Sequence, residues 1–236
     1  MSGAITNNVM ISIIIPAYNE ENRIRKTLND IISFFAGKDY EVIVSANGCR
    51  DKTEDIIKEY SKNYGKIRLI SSDIPGKGMA LQRGFDSSNG NIIIFADADS
   101  SSGPEELWKL VRCVEKYDAV IGSRTNRELI KIRQPFKREV FGKFMSLLVR
   151  FLFRIDIKDT QCGYKAFRRE VLENTFHAVK SKGFEFDVEL LVKIKRAGFT
   201  IKELPVVWNN DPESKLRVFP DAIKMFYNLI KFRVLL

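Results

Sequence analysis

The sequence predicts an α/β fold, a mostly parallel sheet flanked by helices, and three observations carry that expectation. Short apolar runs rich in Ile and Val recur at residues 10–16, 41–45, 67–70, 92–96 and 118–124. The run at 92–96 is unbroken, the mark of a strand buried on both faces of a parallel sheet. Segments with helical spacing separate the runs, and strands alternating with helices at this interval mean βαβ units. The fourth run ends in two carboxylates one residue apart, Asp97 and Asp99. The carboxyl end of a strand is where open α/β sheets place their ligands.

Each element has a local reason. Residues 10–16 read as the first strand, and Glu20 and Glu21 suit the first turn of a helix reaching about Phe35, near the positive end of its dipole. After the second strand, Asp51 is a credible N-cap with Glu54 as its capping-box partner. The helix behind it carries Ile56, Ile57 and Tyr60. Residues 67–70 form the third strand, residues 75–78 a turn, and a helix follows to about Asp86. Pro104 suits the first position of the helix after the fourth strand, and residues 118–124 close this half.

Past Arg124 the texture changes. Residues 136–153 are rich in Phe, Leu, Met and Val, with Lys137, Arg138, Lys143 and Arg150 interspersed. This is either an interfacial helix lying on a membrane or a core helix whose basic side chains snorkel outward. Residues 159–165 form a polar turn. A helix opens at 184–189 and ends near Gly198. Residues 200–208 form a strand interrupted by Pro205, hence an edge. Residues 220–236 make a second amphipathic helix, with Ile223, Phe226, Tyr227, Ile230 and Val234 roughly on one face and Lys224, Lys231 and Arg233 among them.

Composition bounds the chemistry. The chain has 236 residues, 44% hydrophobic and 29% charged, the balance of an ordinary globular protein. His177 is the only histidine, and the three cysteines (Cys49, Cys113, Cys162) form no C-x-x-C pair. Histidine-based metal clusters, Ser-His-Asp chemistry and a disulfide framework are thereby excluded. No signal peptide is expected, and no run reaches the ~20 apolar residues that span a bilayer. A reducing cytoplasm is the expected compartment. The net charge of +9 is local: residues 124–169 hold thirteen Lys and Arg against four Asp and Glu, so the rest of the chain balances. A field of this kind calls for an anionic partner, whether ligand phosphates, a membrane surface or nucleic acid. The stretch lacks a nucleic-acid recognition motif, so nucleic acid is not the expected partner.

Asp97 and Asp99 carry the sharpest chemical signal. Two like charges so close raise each other's cost of ionisation unless a cation sits between them. The pair therefore either holds a divalent metal and a phosphorylated ligand, or splits into a helix cap and a solvated carboxylate. There is no G-x-G-x-x-G after the first strand and no G-x-x-x-x-G-K-[ST], so neither a dinucleotide fingerprint nor a P-loop is present.

The segments Ile14-Ile-Pro-Ala-Tyr-Asn-Glu20, Gly76-Lys-Gly78, Asp97-Ala-Asp99 and Gly122-Ser-Arg124 occur in the order seen in inverting family-two glycosyltransferases of the GT-A fold. The chain resembles that family over about residues 10–225. Within it, Asp159-Thr-Gln-Cys-Gly-Tyr-Lys165 is similar to the polyprenyl-phosphate sugar synthases, closer to dolichyl-phosphate glucosyltransferases than to the mannosyl enzymes. Val207-Trp208 followed by Ser214-Lys215 also looks like the glucosyl type.

The resemblance implies roles. Pro16, Tyr18 and Glu20 would line a nucleotide pocket, and Lys77 would meet the diphosphate or the sugar. Asp97 would face the ribose and phosphates. Asp99, with Asp97 and Ser101 beside it, would bind Mg²⁺ or Mn²⁺, hard cations that take oxygen ligands; Ser101 suits a helix cap equally well. The second strand departs from the family: where two Asp residues usually precede a Gly, Ala46 and Asn47 stand, and an Asp there normally accepts the uracil N3–H. An Asn carbonyl can accept that bond without charge, and its amide can also donate. UDP is the expected nucleotide and GDP its competitor. The acceptor would be a polyprenyl or dolichyl phosphate, already anionic and in need of no strong base. Arg124 and Arg138 would cradle it, since guanidinium binds phosphate bidentately. Gln161, Lys165 and Asp187 would lie on the acceptor or sugar side, although Asp187 also reads as a first-turn helix carboxylate. Residues 1–210 would form the catalytic domain and residues 211–236 a C-terminal amphipathic helix, the enzyme sitting peripherally on the cytoplasmic face of a membrane. Other readings are a mannosyl enzyme using GDP-mannose, a glycosyltransferase acting on a polysaccharide, glycolipid or protein, and a non-catalytic nucleotide-sugar module.

Overall fold

The computed structural model describes residues 9–132, 136–181, 183, 185–209 and 218–234; at 127, 131, 136–141 and 218–225 the description is of the backbone alone. Strands and helices alternate as β1 (Ile11–Ala17), α1 (Ile24–Phe34), β2 (Tyr40–Asn47), α2 (Thr53–Asn63), β3 (Ile67–Ser72), α3 (Lys77–Asp86), β4 (Ile92–Phe95), α4 (Pro104–Val114) and β5 (Ala119–Ser123). There follow β6 (Ile130–Ile132), α5 (Phe136–Phe153), β7 (Lys165–Arg168), α6 (Arg169–Thr175), α7 (Phe186–Arg196), β8 (Ile201–Pro205), β9 (Trp208–Asn209) and α8 (Val218–Val234).

Seven strands form one sheet in the order β3-β2-β1-β4-β7-β5-β8. All neighbours are parallel except β7, which runs antiparallel between β4 and β5. The winding reverses between β1 and β4, and their carboxyl ends therefore open the crevice where such sheets bind ligands. The expected edge at residues 200–208 is found: β8 is the last strand, and Pro205 ends it.

Side-chain alternation divides the interior into layers. Ile13, Ile15, Val42, Val44 and Ile94 face α1, α2 and α4, while Ile14, Ile93 and Phe95 face α3, α6 and α7. A third cluster joins Ile121 to Met145 and Val149 of α5, to Val188, Leu191 and Val192 of α7, and to Leu229 of α8. Each fully buried aliphatic side chain contributes about 1.5–3 kcal/mol. Gly84 lets α3 lie against β1, since a Cβ there would run into Ile14.

Three local expectations change. Glu20 and Glu21 precede α1, which begins at Ile24 with no acidic residue in its first turn. The N-cap position of α2 is Lys52, and no capping box forms. Asp51 accepts from the Thr53 N–H at 3.0 Å and the Glu21 N–H at 3.2 Å, tying together the loops after β1 and β2, while Glu54 accepts from Ser71 Oγ at 2.6 Å. β7 and α6, absent from the sequence expectation, follow the polar stretch at 159–165. β7 is short and bounded by Lys165 and Arg168, so it shows no apolar run.

Candidate active site

β4 stops at Phe95, and the chain keeps alternating for a few residues beyond it. Ala96 and Ala98 turn into the core, which leaves Asp97 and Asp99 on the other side. Thr27 Oγ1 of α1 donates to the Ala98 carbonyl at 2.7 Å. The Tyr164 hydroxyl donates to the Ser102 carbonyl, and the Asn209 N–H to the Ser101 carbonyl at 2.8 Å. Ser100 takes φ +53°, and the Ser101 N–H donates to Asp99 Oδ1 at 2.9 Å. The loop is thus pinned from α1, from the segment before β7 and from β9. Gly163 packs directly on the Asp97 carboxylate; a Cβ there would overlap both its oxygens.

Burial, then the charge of Asp97, pushes the Asp99 carboxyl above its ordinary range against the Ser101 hydrogen bonds. Side chains at Asp97, Asp99 and Ser101 offer hard oxygen donors, and a cation would relieve the Asp97–Asp99 repulsion. They fit a divalent ion of the kind held by one or two carboxylates plus ligand phosphates. Among the described residues no group of three or more His, Cys, Asp and Glu forms a protein-only metal cage.

Opposite the carboxylates stands a cationic side with two arms. Lys77, the first residue of α3, places Nζ 3.7 Å from Asp97 Oδ1 and 3.3 Å from Asp187 Oδ2. Lys165, at the start of β7, is wholly buried; its Nζ lies 2.6 Å from Asp187 Oδ1 and 2.5 Å from the Cys162 carbonyl. Burial alone would raise the Asp187 carboxyl, but Lys165 and Lys77 more than reverse it, and the group is held below its usual range. Burial also opposes the Lys77 charge, which Asp187 and Asp97 restore and push above the ordinary lysine value. Burial pushes the nearby Cys162 thiol up to about 11, so it stays a thiol at neutral pH.

Arg124, one residue past β5, makes a bidentate pair with Asp159, Nε to Oδ2 at 2.8 Å and Nη2 to Oδ1 at 2.9 Å. Its guanidinium lies over the Trp208 ring, 5.6 Å from the centroid. Asp159 and, farther off, Asp97 raise its pKa despite burial.

On the nucleotide side, Pro16 is the last residue but one of β1, Asn47 ends β2 and is buried, and Tyr18 is exposed. The Glu20 carboxylate pairs with Arg23 Nε at 2.7 Å, and its N–H donates to Thr53 Oγ1 at 2.6 Å. The Gln161 N–H donates to Asp159 Oδ1 at 3.3 Å. Arg138 belongs to α5, and its side chain lies outside the described residues.

The structure brings Lys77, Asp97, Lys165 and Asp187 into one chain of charges, with Asp99 and Ser101 on the same loop. It departs from the sequence expectation at Lys165 and Asp187, which have no surface to offer a ligand and reach the site through Lys77. Arg124 is not an open cation, because Asp159 occupies one edge. Sequence reasoning missed Asp159, Glu203 and Tyr164 as parts of the site. A polar turn gives no warning that its first carboxylate reaches back 35 residues to an arginine.

The mostly parallel seven-strand sheet flanked by helices, with an acidic pair at its switch point, has the architecture of a GT-A fold. Residues 12–176 match Glycosyl transferase family 2, and the chain belongs to that family. Among its relatives, Glycosyltransferase AglD of Haloferax volcanii is 35% identical over 98% of this chain, which spans 38% of that protein's length. The Dolichyl-phosphate beta-glucosyltransferases of Saccharomyces cerevisiae and Homo sapiens are 34% and 32% identical over 96% and 95% of the chain, which spans 75% of each. Glucosyl-3-phosphoglycerate synthase from Mycobacterium tuberculosis, solved with Mn²⁺, UDP and glucosyl-3-phosphoglycerate, shares the fold. It has a TM-score of 0.72 at 21% identity, covering 96% of this chain and 80% of that one.

Proposed function

We propose that this protein transfers glucose from UDP-glucose to the phosphate of a dolichyl or other polyprenyl lipid, inverting the anomeric centre, with Mg²⁺ or Mn²⁺. One observation carries the reading: the acidic pair of the loop at 97–99 meets two cationic arms, Lys77 at 3.7 Å from Asp97 Oδ1 and Arg124 within electrostatic reach of Asp97, so anionic phosphates and a cation both find partners there. The names of the relatives supply the sugar and the lipid.

In this reading Pro16, Tyr18, Glu20 and Asn47 take the nucleotide, and Lys77 approaches its diphosphate or the sugar. Asp97 and Asp99 would hold the metal with Ser101 beside them; when bound, it offsets charge on the departing diphosphate. Arg124 and Arg138 receive the acceptor phosphate, with Gln161 nearby. An acceptor oxygen attacks the anomeric carbon, and the bond to the diphosphate breaks on the opposite face. Asp187, anchored by Lys165, sets the Lys77 ammonium.

The lipid tail gives α5 and α8 a purpose. Phe144, Leu147, Phe151, Tyr227 and Val234 are exposed on them, beside Lys143, Arg150, Lys231 and Arg233. Among the described residues no helix is long and apolar enough to cross a membrane. An apolar, basic face of this kind suits peripheral docking on the cytoplasmic leaflet, with residues 1–210 as the catalytic domain and 211–236 adding the second docking helix.

A donor screen tests the reading: UDP-glucose, GDP-mannose, UDP-GlcNAc and UDP-galactose, each with a polyprenyl phosphate and Mg²⁺ or Mn²⁺. UDP-glucose should give a chloroform-soluble β-glucosyl lipid. A GDP-mannose preference would overturn the donor, and no lipid product from any donor would overturn the acceptor.

A further inference from the structure

The Arg124–Asp159 pair is more than one salt bridge. Asp159 Oδ2 accepts both the Arg124 Nε–H and the Arg124 backbone N–H, at 2.8 and 2.9 Å. Oδ1 accepts from Arg124 Nη2 at 2.9 Å and from the Gln161 N–H at 3.3 Å. The carboxylate is buried, and Arg124 holds it ionised against the cost of burial. The loop that carries it is fixed in turn: the Glu203 carboxylate accepts the N–H groups of Lys158 and Asp159, each at 2.9 Å. Glu203 sits on the edge strand β8, in register with Ile121 of β5, three residues before Arg124. The Arg124 guanidinium carbon also lies over the Trp208 ring, 5.6 Å from its centroid. The chain from strand to loop to carboxylate to guanidinium thus closes on the same pair of strands.

An arginine meant only to attract phosphate would gain nothing from a full counter-charge. A bidentate partner costs net attraction and confers direction, since the guanidinium fork fixes its plane. Asp159 is too deeply anchored, by four N–H donors and by Glu203, to be displaced by an arriving anion. We propose that Asp159 and Glu203 are positioning residues that aim Arg124 at the acceptor phosphate. This rests on the reading that Arg124 meets that phosphate.

Two readouts on the full chain test it. The first needs no substrate: solvent exchange of the Arg124 Nε–H by NMR, the signal assigned by its absence from R124Q. Exchange should be slow in the wild type, faster in E203Q, which keeps one acceptor oxygen, and faster again in E203A and D159N. The second is steady-state transfer of glucose to a short-chain polyprenyl phosphate. The acceptor KM should rise about tenfold in D159N and severalfold in E203A, with the UDP-glucose KM unchanged within about twofold. E203Q, the mildest change, should fold like the wild type and fall between. Unchanged exchange, or donor and acceptor KM rising together, would overturn the positioning role. Faster exchange with R124Q keeping the wild-type acceptor KM would instead overturn the phosphate role of Arg124, and the aiming role with it.

Discussion

The two ends of the sheet hold the same kinds of charged residue, but the carboxyl end leaves one pair, Asp97 and Asp99, in conflict. At the amino end, Glu41 of β2 is buried and saturated: Ser12 Oγ donates to it at 2.7 Å, the Asn89 N–H at 2.6 Å and Arg68 Nη2 at 2.6 Å. Arg169 donates to the carbonyls of Gly90 and Ser88, and Asp118 accepts from the Thr200 N–H and hydroxyl. Partners push both Glu41 and Asp118 below their ordinary range. At the carboxyl end Asp99 goes the other way, raised by burial and by Asp97. Charge satisfied within the protein contributes to stability; charge left in conflict marks where something from outside must bind. The contrast separates what each end does, and substitutions can break it.

The largest effect belongs to the conflicted end. Asp99→Ala should lose glucosyl transfer on the order of 10³-fold or more, about 4 kcal/mol in the barrier. Urea denaturation should show stability unchanged or slightly improved, because the variant removes a carboxylate that neither burial nor its neighbour favours. A large loss of stability with transfer retained would reverse the assignment of the two ends.

Asp187 stands between these extremes, since it is satisfied by Lys165 and Lys77 yet tied through Lys77 to Asp97. Asp187→Ala leaves Lys165 buried without its partner and should cost about 3–5 kcal/mol in folding. The double variant K165M/D187L replaces the pair by apolar groups of similar size and should regain most of that. Transfer should stay low in the double variant, because Lys77 still lacks its anchor. Full recovery of activity along with stability would make the pair a purely structural one.

How far the sequence alone reaches follows the same division. β1, β2, β4 and β5 are read from local runs such as Ile13–Ile14–Ile15, because a strand buried on both faces declares itself in consecutive residues; β3, an edge strand, shows only the interrupted run Ile67-Arg-Leu-Ile70. The D-x-D strand end declares itself too, through the oddity of two carboxylates one residue apart at the end of an apolar run. What stays hidden is whatever depends on distance along the chain: Lys77 meets Asp187 across 110 residues and Arg124 meets Asp159 across 35. β7 hides because its first residue is a lysine, buried against Asp187 and the Cys162 carbonyl. The edge at β8 was legible because Pro205 cannot donate to a ladder.

The smallest effect, and the one that sharpens the contrast most cleanly, is at Glu41. Its folded pKa lies below the ordinary value: burial pulls it up, and Ser12, Asn89 and Arg68 together pull it further down. A depressed carboxylate contributes stability that is fully present above its unfolded pKa of about 4.3 and is lost as pH falls through the folded value. Glu41→Gln keeps the shape and one acceptor but not the charge. It should cost about 1–2 kcal/mol at pH 7, measured by urea denaturation, with the gap to the wild type closing as pH drops below about 4. Transfer at pH 7 should be unaltered, because the network lies at the opposite end of β2 from Asn47. A gap that persists unchanged at pH 3 would mean that packing rather than ionisation makes this end stable.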